Sequence, residues 1–313
     1  MKTLVTRLFG FIVFTLVIYV LFIIVAGSMF PLYLRKNLMH PLGIYGHLHS
    51  RMADVKVKGE VDILFLGSSH AYRGFDTRIF ADYGYSTFNL GSSGQTPLQT
   101  SLLLKRYVQR LNPGLVVYEV YPETFTSDGV ESSLDLLSNE KIKWDTFLMV
   151  LKVNHIKTYN TFIYALFRQL THADSDFKED VIIKKDTYIS GGGFVERKVE
   201  HFNHHKHSSE NWDLNNQQLE AFEEVVSYLH EKKIDFLLVQ APITKALYQS
   251  RLNNVHINDY FKSHGNYLNF NEPNLPLNDS LHFYDADHLN QDGVVIFNKK
   301  FIELLKVKKI PEI

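Results

Sequence analysis

Short apolar runs alternating with amphipathic helical segments predict an α/β domain on a parallel sheet with helices on both faces. Two observations carry this prediction, and a third adds a membrane helix in front of it. First, residues 61–66 (VDILFL), 115–120 (LVVYEV) and 234–240 (IDFLLVQ) are near-continuous apolar runs, the signature of strands buried on both sides. Second, residues 96–111 and 214–232 carry apolar side chains at helical spacing, so each helix has one face to bury. Third, residues 8–26 (LFGFIVFTLVIYVLFIIVA) contain no charge. As a helix that run is roughly 28 Å long, close to the hydrocarbon thickness of a bilayer.

The elements follow in order. The run at 8–26 exceeds the 7–15 apolar residues usual for a signal peptide, which favours an uncleaved signal-anchor over cleavage near Ala26-Gly27-Ser28. Basic residues stand on both sides, Lys2 and Arg7 before it and Arg35 and Lys36 after, so charge alone does not set its orientation. Residues 1–30 are thus the anchor and 31–59 a membrane-proximal connector. Residues 60–313 are the folded domain. Within it, residues 85–90 are a second strand. Leu102, Leu103, Tyr107 and Leu111 line one face of the helix at 96–111, and Asn112-Pro113-Gly114 ends it. Leu219, Phe222, Val226 and Leu229 do the same for the helix at 214–232. A short strand at 267–270 and a helix at 294–305 close the chain. Residues 129–213 differ in character, with aromatic helical pieces near 144–170 and then polar, glycine-rich sequence, and read as a cap-like insertion. Gly191-Gly192-Gly193 within it reads as a flexible loop.

Composition removes several function classes. The chain has 313 residues, with 33 Lys+Arg against 34 Asp+Glu, a formal charge of -1. Nucleic-acid binders carry a basic excess, so none is expected as a partner. With no cysteine, disulfides, thiolate metal sites and cysteine nucleophiles are excluded. His201, His204, His205 and His207 are dense, but no carboxylate pattern accompanies them, and neither a metal nor another cofactor is expected.

Three motifs stand where an open α/β sheet places its chemistry, beyond the carboxyl ends of strands. Gly67-Ser68-Ser69-His70 follows the first strand. Its glycine permits a tight turn, and Ser69 opens a helix, where its own backbone N–H faces a developing oxyanion. The bland reading is a helix-capping serine. Asn89-Leu90-Gly91-Ser92-Ser93-Gly94 follows the second strand and offers a further glycine N–H; its bland reading is a glycine-rich turn. Asp285-Ala286-Asp287-His288 precedes the last helix. A carboxylate three residues before a histidine can hold its Nδ1–H, which leaves Nε2 to take a proton from serine. Here the bland reading is a capping loop with Asn290 or Asp292 as the cap.

Taken together and in this order, the three motifs resemble the SGNH (GDSL) hydrolase superfamily over residues 61–126 and 214–305. The resemblance implies a flavodoxin-like three-layer α/β/α fold. It implies Ser69 as nucleophile, with Ser68 where the family usually has aspartate, and Asp285 and His288 as partners. It implies that the N–H groups of Ser69 and Gly94 form the oxyanion hole. One block departs: Glu123, in Val120-Tyr121-Pro122-Glu123-Thr124, falls where the family often places an asparagine oxyanion donor. A carboxylate would repel an oxyanion, and loss of one donor costs about 10²–10³ in rate. Three alternatives stay open: only backbone donors serve, Glu123 is protonated or turned away, or the enzyme is slow.

Gly-Ser-Ser-His with an N-terminal membrane helix is similar to the branch holding alginate O-acetylation proteins and teichoic-acid D-alanylation partners. That likeness implies a single-pass protein of a bacterial-type cell membrane with its catalytic domain outside. It implies an acylated glycan or related polymer as substrate and a multi-spanning membrane O-acyltransferase as partner. The expected activity is a serine esterase or O-acyltransferase working through an acyl-serine. The rival is a non-catalytic scaffold that binds a glycan or acyl carrier. A third arrangement places the enzyme on the cytoplasmic side. Among lesser candidates, His70 and Asn89 are expected to line the site. Asp287, adjacent to His288, is expected to point elsewhere, and Arg73 to pair with Asp76.

Overall fold

The computed structural model describes residues 1–36, 38–203, 207–272 and 275–307. Its core is a five-stranded parallel sheet of β1 (Ile63–Leu66), β2 (Thr87–Asn89), β3 (Leu115–Glu119), β7 (Phe236–Gln240) and β8 (Tyr267–Asn269). The spatial order is β2-β1-β3-β7-β8. Counting only these five strands, that is 2-1-3-4-5, the flavodoxin-like order, so the expected fold class holds. Ile63 aligns with Thr87 on one side and Leu115 on the other, and Val116 with Phe236, so the carboxyl ends lie along one edge.

Alternation along the strands sends side chains to two separate apolar layers. Leu64, Leu66, Val116, Tyr118 and Leu238 pack under the helices Pro97–Leu111, Asn216–Glu231 and Asn254–His264. Ile63, Phe65, Leu115, Val117, Leu237 and Val239 pack under Thr77–Asp82 and Gln291–Val307. A capping box between Thr96 and Gln99 starts the first of these helices, with Pro97 in its first turn, and Asn112 in the left-handed region ends it.

The helix Lys2–Met29 is long and apolar enough to cross a membrane, with mean hydropathy 3.1 over its best window and almost no burial there. Its last turns touch the rest of the chain. Ile23 and Ala26 pack with Met39, Ile163 and Tyr164. The Tyr164 ring lies over Gly27, where a Cβ would stand 2.4 Å from it. Arg35 donates to the Gly27 carbonyl at 2.8 Å.

Residues 129–213 form three helices, Val130–Asn139, Trp144–Val153 and Ile156–Thr171, then an antiparallel sheet of β4 (Ile182–Ile183), β5 (Asp186–Ile189) and β6 (Phe194–Arg197). That small sheet was not foreseen, because its strands are only two to four residues long, too short for an alternating pattern to show. The glycine triplet is its tight turn rather than a flexible loop. Gly192 accepts from Asn89 N–H at 2.9 Å, and Gly193 lies directly over the Asn89 backbone. His204 and His205 lie outside the described residues.

Candidate active site

The turn after β1 is fixed by one glycine and one buried carboxylate. Gly67 has φ +133°, and a Cβ there would meet Glu119 atoms at 2.8 Å, so only glycine fits. Glu119 ends β3 and is fully buried. Its Oε2 accepts from the Ser68 N–H at 3.3 Å and from the Ser68 hydroxyl at 3.1 Å. Burial pushes the Glu119 carboxyl up from its ordinary pKa, against the pull of His70 and Ser68. Ser68 caps the helix Ser69–Gly74 by accepting from His70 N–H. The capping role therefore falls to Ser68, which leaves the Ser69 hydroxyl for other work.

Ser69 Oγ lies 2.8 Å from His288 Nε2, and which atom donates depends on the imidazole tautomer. The loop that carries His288 is pinned at its base by a bridge between Phe283 and Leu289 and by Tyr284 N–H donating to the His288 carbonyl. Asn290 caps the last helix by accepting from Gly293 N–H at 3.1 Å, so the bland reading of this loop is also met. Asp285 Oδ1 accepts from the backbone N–H of Asp287 at 3.1 Å and of His288 at 2.7 Å. Its two oxygens stand 3.1 and 3.0 Å from His288 Nδ1.

Asp287 corrects one expectation. Its Oδ1 is also 3.0 Å from His288 Nδ1, because the loop is a closed turn and not extended. Its Oδ2 is 3.4 Å from His70 Nε2. His70 stacks on Tyr121 at 4.0 Å between ring centroids, and its Nδ1 is 4.0 Å from Glu119 Oε1. A polar line thus runs from Ser69 through His288, Asp287 and His70 to Glu119 and back to Ser68. Burial disfavours charge on His288, yet Asp287 and then Asp285 outweigh it and raise its pKa to about 10. Burial also opposes ionisation of Asp287, but His288 and His70 hold it well below the usual carboxylate range.

Ser69, Gly94, Tyr121, Glu123 and Asp287 line one hollow of about 400 Å3. The backbone N–H groups of Ser69 and Gly94 make no hydrogen bond among the described residues. Gly94 has φ +56° and open space where a Cβ would be. Glu123 lines the same hollow with about half its side chain exposed, and Arg251 Nη2 approaches it at 3.9 Å. Arg251 in turn stacks on Trp212 and pairs with Glu210.

Two further expectations are corrected. Asn89 is wholly buried and does not line the hollow. It donates to the Ala71 carbonyl at 2.7 Å and accepts from Gly91 N–H at 3.0 Å, so it ties the first two turns together. Arg73 pairs with Asp186 on β5, while Asp76 pairs with Arg78, its neighbour in the adjoining helix. Glu119 and Arg51 escaped the sequence reading. Glu119's signal is a lone carboxylate closing an apolar strand. Arg51 is fully buried, donates to the carbonyls of Gly46 and Gly91, and lies over the Tyr72 ring at 4.2 Å. It braces the Gly91–Gly94 turn from below.

No protein-family model matches the chain, and no curated protein does. Among solved structures it is similar to a GDSL-like lipase from Bacteroides thetaiotaomicron, at 15% identity and TM-score 0.41, over 79% of this chain and 88% of that one. It is also similar to a proposed acylhydrolase from Bacteroides fragilis, at 12% identity and TM-score 0.42, over 86% and 99%. The chemistry of the site rests on this chain's own side chains.

Proposed function

We propose that the chain is an SGNH-type serine esterase or O-acyltransferase held at a membrane by its first helix. One observation carries this reading: Ser69 Oγ stands 2.8 Å from His288 Nε2 while carboxylate oxygens stand at 3.0 Å on Nδ1. A nucleophile, a base and its orienting acid within hydrogen-bond reach is the arrangement acyl transfer needs. Ser69 Oγ attacks an ester carbonyl, and its proton passes to His288 Nε2. The developing oxyanion is met by the free N–H groups of Ser69 and Gly94. His288 then gives the proton to the departing alcohol, leaving an acyl-serine. Water or a second hydroxyl releases the acyl group by the same steps. Asp285, fastened by two backbone N–H groups, orients the imidazole. Glu123 is turned towards Arg251, which offsets its charge near the hole.

Domain roles and location extend the same proposal. Residues 1–30 anchor the chain, 31–59 connect it, and 60–313 form the catalytic domain with 129–213 walling its site. Packing of Gly27 beneath Tyr164 favours retention of the helix over cleavage beside it. The domain works outside a bacterial-type membrane on acylated envelope polymer, beside a multi-spanning O-acyltransferase.

The test uses the full chain in detergent with an aryl acetate. Ser69→Ala lowers turnover by about 10³-fold or more. Turnover that survives the substitution ends the mechanism.

A further inference from the structure

The contacts of the first helix set how deep the domain sits. Residues 1–18 are exposed. Tyr19, Ile23, Ala26 and Gly27 form one stripe along the helix, and that stripe meets the insertion helix Ile156–Thr171. Gly27 lies under Tyr164, and the Tyr19 hydroxyl donates to Asn160 Oδ1. The exposed half of the first helix therefore leaves the domain past the Ile156 end of the insertion helix.

The lengths do not fit a domain standing clear of a bilayer. The uncharged part of the exposed half, Leu8–Ile18, is roughly 16 Å long as a helix, about half of a hydrocarbon core of about 30 Å. Arg7 stops it on the far side. A full span needs the apolar run up to Ala26 as well, and Tyr19–Ala26 is the stretch that packs on Ile156–Thr171. Asn160, bonded to Tyr19, then stands roughly 10 Å along the helix axis below the level of Ala26.

The side chains of the insertion suit that depth. Ile156, Ile163, Leu166, Phe167 and Leu170 share the face of their helix opposite the buried Thr158, Thr161 and Ala165. Ile156 is 60% and Leu170 73% exposed. The helix's two basic residues lie off this face: Arg168 is buried and donates to the Ser138 carbonyl, and Lys157 is half-buried. Leu151, just before the turn into the helix, is exposed as well. The turn keeps its own polar groups occupied. Asn154 N–H donates to the Val150 carbonyl at 3.0 Å, its Oδ1 accepts from the Tyr159 hydroxyl at 2.9 Å, and His155 Nδ1 accepts from Lys157 N–H at 3.3 Å. Asn160 is 3% exposed and has Tyr19 as its partner. Where water is absent, polar groups must be satisfied within the protein, and a hydrogen bond between helices carries a polar side chain there.

We propose that the turn from Leu151 to Ile156 and the helix that follows form a second lipid-binding surface, sunk beside the first helix into the leaflet on the domain's side. The proposal rests on the reading of the first helix as an anchor, and goes beyond it by giving the insertion its own contact with lipid. The occupant is phospholipid, selected over a soluble partner because the surface is continuous with the anchor. Acyl chains cover Leu151 and Ile156. Lys152, exposed next to Leu151, lays its stem among them and extends its ammonium to the headgroup phosphates.

The chain has no cysteine, so single introduced cysteines report cleanly. The full chain is made with Phe14→Cys, Ile156→Cys or Tyr83→Cys, each labelled with an environment-sensitive fluorophore, in phosphatidylcholine nanodiscs with or without doxyl-labelled lipid. All three positions are exposed, so folding does not confound the reading. Phe14 marks the free half of the anchor, and Tyr83 lies on the other face of the sheet beside Lys306 of the last helix. Doxyl lipid is expected to remove most of the emission at positions 14 and 156 and to leave position 83 unchanged. Quenching at 14 without quenching at 156 overturns the proposal and leaves the anchor standing. Quenching at neither removes the anchor reading, and the proposal with it. Equal quenching at all three marks indiscriminate adsorption and overturns a specific surface. A disulfide dimer of unlabelled Ile156→Cys chains, with no quenching at 156, would give the face to a second copy instead and overturn the assignment to lipid.

Discussion

Strands β1, β3 and β7 are held by apolar side chains on both faces, whereas the wall beside their carboxyl ends is held by polar ones. In that wall Arg51 reaches two carbonyls, Lys56 meets Glu140 at 3.1 Å, Ser50 N–H donates to Glu179 at 2.7 Å, and Arg168 donates to the Ser138 carbonyl at 3.0 Å. Apolar packing is non-directional and tolerates repacking, while buried polar contacts fix a geometry and penalise its loss. The proposed chemistry lies at the seam. Ser69 is set by the sheet, the Gly91–Gly94 turn is braced by the wall, and the hollow draws on both.

The largest contrast is expected at Arg51. Arg51→Met strands the Gly46 and Gly91 carbonyls and costs about 2–4 kcal/mol, read by denaturant unfolding of the full chain. Leu64→Met, a volume-conserving change in the sheet, costs less than about 1.5 kcal/mol in the same measurement. Equal losses would erase the distinction between the two regions.

A finer contrast lies inside the site. Asp285 is held by its own loop, while Asp287 is held from the sheet side through His70. With both carboxylates present, His288 is charged up to about pH 10, so the proposed esterase activity is expected to rise with pH through that value. The stabilisation its charge brings is complete below an imidazole's ordinary pKa near 6.5 and is lost as pH climbs towards 10. Asp287→Asn removes one anion and is expected to move the activity limb down by about 1–3 units, giving a faster enzyme at neutral pH. A pH-independent collapse of the rate would instead make Asp287 the carboxylate that orients the base.

The same division explains what was legible in the sequence. The strand runs at 61–66, 115–120 and 234–240 and the helix at 96–111 were readable because burial imposes apolar periodicity, and the structure trims their ends by no more than two residues. Ser69, Gly94 and His288 could be singled out as candidates because strand ends and turns advertise themselves through glycine and small polar residues. Asp287 was misplaced because a closed turn brings adjacent residues to one imidazole, which spacing along an extended loop does not suggest. Asn89 looked like a lining residue and is a strut, since its amide serves two backbone groups. The small sheet β4–β6 and the Arg51 brace left no periodic trace: the strands are only two to four residues long, and Arg51 is a single polar residue whose reach to Gly91 spans 40 residues.

The most direct measurement is chemical. The full chain is treated with a fluorophosphonate, digested and mapped by mass spectrometry, with and without prior exposure to an aryl acetate. The account predicts a single stoichiometric adduct on Ser69, slowed by the ester and lost in His288→Gln. An unlabelled Ser69, or an adduct indifferent to His288, would contradict it.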